Sequence, residues 1–543
     1  MTVRDLRWPQ WTLARFTIRR TVRAATLWGA AMALYTYASV VGFQDLSPSR
    51  QGRRAFVDAL GGNLGLKALM GQPYRLDTVG GFVTWRATAV LSLIGAVWGL
   101  LLATDATRGE EAAGRWELFL AGRVTRRRAA LNALLGLGAA VAVLWTFTFV
   151  AAVVAAERPG VGFSIGAALL FATAVAAGAA QFITVGALAA QLMPTRARAA
   201  ALAAAVFGVS FLLRAVADVA PTAHWLVYAS PLGWIEQIRA LSDPRPQWLL
   251  PIAGLITILV LATLSLAGRR DLDASTLPDR DTAVARTRLL GSHRLLAVRL
   301  TRTTALAWTL AAAVGSMIYA TFARSAGSAF ASSPAAARLG HGLAHGANQI
   351  TGVRTFAGIV FLLVMLMLMG YVASALAAIR EEEADGHLDN LLAATVGRAD
   401  WLSTRTLLVL AVTVLAGAGT GIGFWAGSGA GAGLTLGELL QAGLNATAPA
   451  VLLLGIGVFT LGVLPRWTAP VCYALLAWSF LLDMLGSVLH LNGWVLDTSL
   501  LQHPTLAPIT TPNWAVAGVY AALATLLAAA GGLAFQRRDL QPH

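Results

Sequence analysis

The feature that most constrains this chain is a series of long segments with no charged residue at all. Uninterrupted runs cover 24–44, 87–104, 129–156, 159–195, 246–268, 303–323, 355–379, 406–437, 439–465 and 498–536. A helix crosses a bilayer with about 20 mostly apolar residues, so these runs predict membrane spans. Two shorter runs, 199–213 and 467–482, are closed by Arg214 and Asp483. One buried charge in each brings the expected total to about twelve spans. The surplus length of 159–195 and 498–536 reads as loop. Charged residues make up only 12% of the 543, against about 25% in soluble domains. A water-soluble globular fold is excluded, and the fold class is an all-α polytopic membrane protein.

The basic residues set the orientation. With both termini in the cytoplasm, cytoplasmic segments hold 28 of the 41 lysines and arginines, the asymmetry that the positive-inside rule requires. Arg50, Arg53, Arg54, Lys67 and Arg75 nevertheless make the first outer loop basic. The net charge of +15 is scattered over short loops, which fits topology better than a nucleic-acid footprint. Arginines ahead of the first apolar run imitate a signal peptide, but no small-residue cleavage site follows. Arg15, Arg19 and Arg23 share a helical face, which predicts a short surface helix leading into the first span. The single cysteine, Cys472, leaves no intrachain disulfide and no Cys-based metal site. The only lysine, Lys67, is followed by Ala68, so the chain has no phosphate-binding P-loop of its own.

The chain is internally repeated. Between the second and third spans it reads EEAAGRWELFLAGRVTR from Glu110, and between the eighth and ninth EEADGHLDNLLAATVGR from Glu382. Without a gap, Glu110, Glu111, Ala112, Gly114, Leu120, Ala121, Val124 and Arg126 face identical residues in the second copy, and Glu117 faces Asp389. Fainter echoes at a similar offset are Phe211-Leu212-Leu213 against Phe480-Leu481-Leu482 and Pro194 against Pro465. Six spans per half is an even number, so both halves start on the same side and form a parallel repeat. The expected organisation is a cytoplasmic segment 1–23, a first six-span half 24–268, a cytoplasmic linker 269–302 and a second half 303–543.

In each copy a carboxylate cluster opens a helix-forming stretch, as suits a helix N-terminus. Trp116 and Phe119, or Leu388, Leu391 and Leu392, then form an apolar face at helical spacing. Such a helix can lie in a groove on a soluble partner or rest on the headgroups as a solvated loop, and its repetition favours the first. The pattern E-x-x-x-G-x-x-E/D-x-L-L-A-x-x-V-x-R between the second and third of six spans resembles the signature of the ABC type-2 permease family. The whole chain looks like the fused, two-halved membrane subunit of actinobacterial tetronasin-type antibiotic exporters. The resemblance implies that the motif contacts a nucleotide-binding subunit, through Glu110, Glu111, Gly114, Trp116, Glu117, Phe119 and Arg126 in the first copy. In the second copy the residues are Glu382, Glu383, Gly386, Asp389, Leu391, Leu392 and Arg398. It implies a homodimer of separate ATPase subunits that carries the ATP and Mg, with no cofactor bound by this chain. Many relatives have proline before the motif valine, where this chain has Arg123 and Thr395, and Phe119 stands where the second copy has Leu391. The two halves are therefore expected to grip their ATPases unequally. The stretch 219–235, broken by Pro221 and Pro231, is expected to be a re-entrant outer element rather than a further span.

Other signals carry less. Gly417, Gly419, Gly421 and Gly423 echo a dinucleotide loop but lie in an apolar span, where small residues serve close helix packing. His341 and His345 have helical spacing but lack a third ligand, so no metal site is assigned. Met365, Met367 and Met369 offer either core packing or an adaptable substrate wall; Met365 and Met369 are candidates for the substrate path. Intramembrane charges usually face the protein interior or water. Phe207, Phe211 and Arg214 share one face of the fifth span, and Leu476, Phe480 and Asp483 the corresponding face of the eleventh. By resemblance these spans meet near the pseudo-twofold axis, where Arg214 and Asp483 are expected to pair as a gate; the alternative is that each snorkels outward. The resulting reading is the permease subunit of an ATP-driven exporter of amphiphilic drugs or antibiotics, in the cytoplasmic membrane. An ion-coupled secondary transporter and a membrane-embedded transferase are the alternatives.

Overall fold

The computed structural model describes residues 12–46, 64–120, 124–269, 287–321, 323, 352–393, 396–429, 432–485 and 492–540. All regular elements among them are helical. The chain divides into two compact units. The first is built on α1 (Thr12–Leu46), α2 (Leu64–Met70), α3 (Val79–Ala112), α4 (Arg115–Leu120), α5 (Arg126–Ala156), α6 (Ile165–Leu192), α7 (Arg196–Val219), α8 (Pro231–Gln237) and α9 (Pro246–Arg269). The second is built on α10 (His293–Thr321), α11 (Gly352–Ala384), α12 (His387–Ala393), α13 (Arg398–Ser428), α14 (Leu436–Val463), α15 (Thr468–Leu485) and α16 (Trp514–Arg537). Eleven helices among the described residues are long and apolar enough to cross a membrane. At the place of the remaining expected span, 467–482, stands α15, an apolar helix of 18 residues. The protein is thus a multi-pass, all-α membrane chain.

Within the first unit α1 lies along α5, α3 along α6, and α6 also packs on α9, while α7 reaches α3. In the second unit α10 lies along α13, α11 meets α14 and α15, and α14 lies along α16. First with third, second with fourth, second with fifth and fourth with sixth are therefore paired in each unit.

Small residues make these pairings possible, because apolar lipid gives helices no hydrophobic reason to associate and backbones must approach for dispersion contact. A Cβ at Gly178 of α6 would stand 2.3 Å from the Ser92 carbonyl oxygen on α3. In α13 the glycines expected to serve packing do so on two faces. A Cβ at Gly421 would meet the Leu439 carbonyl of α14 at 2.5 Å, and one at Gly423 the Ala313 carbonyl of α10 at 2.0 Å. The outer surface is apolar instead of polar: Leu27, Leu250 and Leu526 are 73%, 75% and 67% exposed. Such residues suit lipid as the surrounding solvent.

One expectation changes, one holds in that no further span forms, and others move out of view. The arginine-bearing start is no separate surface helix, because α1 runs unbroken for 35 residues. Nothing in its sequence interrupts the helix, so Leu13, Ala14, Thr17 and Thr21 continue the buried stripe of the span, while Arg15, Arg19 and Arg23 stay exposed. The stretch after α7 forms a short 3-10 segment, Pro221–Ala229, and then α8, each opened by its proline. It does not make a further span. Arg50, Arg53, Arg54, His341, His345 and residues 270–286 of the linker lie outside the described residues.

Gly423→Leu should destabilise the second unit by about 1–3 kcal/mol, the usual cost of overpacking. Gly254→Leu should be neutral, since nothing lies within 4 Å of a Cβ there. The thermal midpoint of the purified protein in detergent, followed by size-exclusion profile, checks both.

Candidate functional site

The two acidic motifs occupy equivalent turns. Helix α3 loosens into a π turn over Asp105–Gly109 and ends at Ala112. Gly114 then adopts a left-handed conformation with φ +70, and its N–H donates to the Glu111 carbonyl at 2.9 Å. Gly386 does the same after α11, with φ +73 and a 3.1 Å bond to the Glu383 carbonyl. A left-handed residue ends a helix and satisfies its last carbonyls, at a steric cost that glycine alone avoids. That is why glycine recurs at this position, and it starts α4 and α12 directly after the turn.

The motif carboxylates point inward. Glu110 and Glu111 are 2% and 5% exposed. Glu110 is held between Arg20 of α1 and Arg115 of α4. Glu111 pairs at 2.9 Å with Arg108, whose Nε also donates to the Pro194 carbonyl at 3.0 Å. In the second copy Glu382 pairs with Arg405 of α13. Glu383 is 2% exposed and accepts two bonds from Arg538, at 2.6 and 2.7 Å, with Arg380 at 3.2 Å. Arg398 donates to the Arg538 carbonyl at 2.7 Å. Paired, bidentate geometry of this kind is what makes a buried carboxylate tolerable.

The apolar ridge also turns inward, unlike the partner-facing face expected from its spacing. Trp116 is 3% exposed and packs with Leu13, Ala129 and Ala133. Leu388, at the equivalent position, is fully buried, and Leu391 and Leu392 pack against the same core. The side chain of Phe119 lies outside the described residues, and Arg126 is half-buried at the start of α5. The exposed face of α4 carries the acidic Glu117, and that of α12 carries Asp389 together with His387, Asn390 and Ala393. The structure therefore divides the motif into an inward anchor and an outward acidic face.

At the opposite end of the first unit stand the charges of the fifth span. Arg214, 3% exposed, donates to the carbonyls of Ala68 and Leu69 at 3.2 and 2.8 Å. It lies 4.0 Å from Asp218, and its guanidinium sits 4.9 Å from the Phe211 ring centre. Phe207 meets Phe182 edge-on at 5.4 Å. Arg214 thus has charge and carbonyl partners within its own unit, where the sequence offered Asp483 instead. In the second unit Leu476 and Phe480 are half-buried on α15, and the Asp483 Oδ2 is buried without a hydrogen-bond partner among the described residues. Met365 and Met369 are completely buried in the core of that unit. They fill a packed interior, not the substrate wall considered for them, because their spacing of four puts both on the inner face of α11.

Residues that sequence reasoning missed surround Arg214. Glu236 of α8 accepts the Gln72 N–H at 2.5 Å, and Gln72 Nε2 donates to the Asp218 carbonyl at 2.6 Å. Arg239 stacks on the Tyr74 ring, 3.2 Å from its centre, and reaches Asp243 at 3.5 Å. Burial raises the Glu236 carboxyl above its ordinary range, opposed by the Arg214 guanidinium; burial also raises the Tyr74 phenol. These groups line or adjoin a cleft walled by Met70, Trp85, Leu232 and Ile235. The i,i+4 spacing of Arg214 and Asp218 was the one legible signal.

Glu383→Ala should destabilise the second unit by about 3–5 kcal/mol, because it strips the partner from buried guanidinium groups. Asp385→Ala, at an exposed neighbour, should change stability by less than about 0.5 kcal/mol. Thermal midpoints of both variants test this.

Comparison with known proteins agrees with this architecture. Residues 290–536 match the family described as the C-terminal domain of the multidrug efflux system permease Rv1217c. Over 555 aligned residues the chain is 28% identical to the multidrug efflux system permease protein Rv1217c of Mycobacterium tuberculosis, covering 97% of this chain and 95% of that protein. The helical membrane architecture, the family match over residues 290–536 and the similarity through nearly the whole length together support an ABC-type permease.

Proposed function

We propose that this chain is the membrane-spanning subunit of an ATP-driven exporter of amphiphilic drugs or antibiotics, working with a homodimer of separate ATPase subunits. The observation that carries the reading is the pair of helices α4 and α12, each anchored by buried carboxylate–arginine pairs and presenting an exposed acidic residue. The similarity to a multidrug efflux permease supports the class of cargo. Both motif ends and both termini lie on the cytoplasmic side of the inner membrane in this reading, as the distribution of arginines requires. ATP and Mg belong to the partner; this chain supplies the docking helices and the transport route. The whole motif acts in coupling, with Glu110, Glu111, Glu382 and Glu383 setting the angle of each helix. Glu117 and Asp389 then meet basic residues of the ATPase.

The test is co-purification with the ATPase, then substrate-stimulated hydrolysis in liposomes. Glu117→Lys with Asp389→Lys should weaken assembly by about tenfold, since two exposed ion pairs contribute up to about 1 kcal/mol each. The wild-type contact should weaken as salt is raised. Full assembly and full stimulated hydrolysis by the double variant would reduce α4 and α12 to solvated surface helices. Substrate flux driven by an ion gradient without any ATPase would select the secondary-transporter reading.

A further inference from the structure

The first unit buries two carboxyl groups together at the end remote from its acidic motif. Asp218 closes α7 with a side chain that has no exposed surface, and both its carboxylate oxygens lack a hydrogen-bond donor among the described residues. Glu236 of α8 is brought beside Asp218 by Gln72, whose N–H donates to the Glu236 carboxyl and whose Nε2 donates to the Asp218 carbonyl. The Glu236 Oε2 is likewise buried without a donor among the described residues. Two carboxylates cannot face each other in a buried site while both are ionised; one of them must hold a proton that the other accepts. A shared proton joins one of the two Asp218 oxygens to the Glu236 Oε2 and supplies the donor that this pair lacks. The remaining negative charge is matched by Arg214, 4.0 Å from Asp218.

The other charged groups facing the pair do not replace the proton. Lys67 of α2 makes no ion pair with Asp218 among the described residues, where Arg214 is the neighbouring cation. Arg239 lies on the Tyr74 ring and is engaged by Gln237 and Asp243. Gly71 seals the site from the backbone side, since a Cβ there would stand 2.3 Å from the Glu236 carboxyl carbon. The cleft that reaches Glu236 and Arg214 provides a path for a proton.

We propose that Asp218 and Glu236 form a proton-binding site that clasps three segments of the first unit: the stretch 67–72, the end of α7, and α8. The stretch is tied in by Gln72, which bonds both Glu236 and the Asp218 carbonyl, and by the Ala68 and Leu69 carbonyls on Arg214. The sign follows from linkage. The folded site keeps a proton that the two carboxyls would lose when released to water, so the clasp is complete at low pH. It weakens as pH rises through the range where that proton leaves, by up to about tenfold in the opening equilibrium per pH unit for one proton. The inference does not depend on what the chain transports.

Hydrogen exchange of the full chain in nanodiscs tests it, read over 67–74 and 231–239 between about pH 6 and about pH 9, a window above the ordinary carboxyl range. Wild type is compared at each pH with Asp218→Asn and with Glu236→Gln, which cancels the intrinsic chemistry of exchange. An amide in either position offers a permanent donor to the remaining carboxylate, so both variants should stay protected at every pH. Wild type should lose protection relative to them as pH rises. Protection ratios that do not change with pH would overturn the proposal. So would loss of folded protein in both amide variants, because a shared proton is the one role that an amide can fill. If only one variant folds, its profile against wild type decides.

Discussion

In a chain whose outer surface is apolar, a charge that leaves water must find its partner inside the protein, and this obligation organises both ends of the structure. Arg405 of α13 with Glu382 of α11, and Arg538 after α16 with Glu383 of α11, are buried or nearly so and join separate elements, while Arg108 and Glu111 pair within α3. Helix packing through glycine and alanine gives close contact but little orientation. The ion pairs supply the orientation, because a bidentate guanidinium fixes angle as well as distance. The short helices α4 and α12 take their places from these pairs and from the left-handed glycines that precede them.

The two copies of the motif reach the same result with different partners. In the first, Glu110 draws on Arg20 from the N-terminal helix and Arg115 from α4. In the second, Glu383 draws on Arg538, which follows the last helix. Trp116 and Leu388 are equivalent and equally buried, but an indole and an isobutyl group fill different volumes. The outward residues differ too, a glutamate in one and an aspartate in the other. The two short helices are thus alike in their place after a left-handed glycine and different in what supports them.

The spans were legible because about twenty charge-free residues in a row have few other uses. The motif glycines were legible as motif members, though only the backbone reveals their left-handed turn. The direction of the carboxylates was legible only in part: Arg108, Arg115 and Arg380 lie within five positions of their glutamates, but Arg20 and Arg538 come from far away, 155 positions for Glu383 and Arg538. Amphipathic spacing announces that one face of a helix is apolar without saying whether that face meets a partner or the chain's own core. Trp116 and Leu388 chose the core. The Asp218–Glu236 site escaped for a related reason. Asp218 stands one turn beyond Arg214, where the apolar run had already closed, and Glu236 follows the proline-broken stretch 219–235. The bond from Gln72 that joins them crosses 164 positions.

The central claim is that the motif carboxylates act as internal anchors, and a double-mutant cycle on Glu383 and Arg538 measures it most directly. Glu383→Ala, Arg538→Ala and the double variant are compared by unfolding in detergent. The account predicts a coupling of about 1–3 kcal/mol, the range for residues in one buried ion-pair network. Additive effects, with coupling below about 0.5 kcal/mol, would contradict it and show that the two residues stabilise the unit independently.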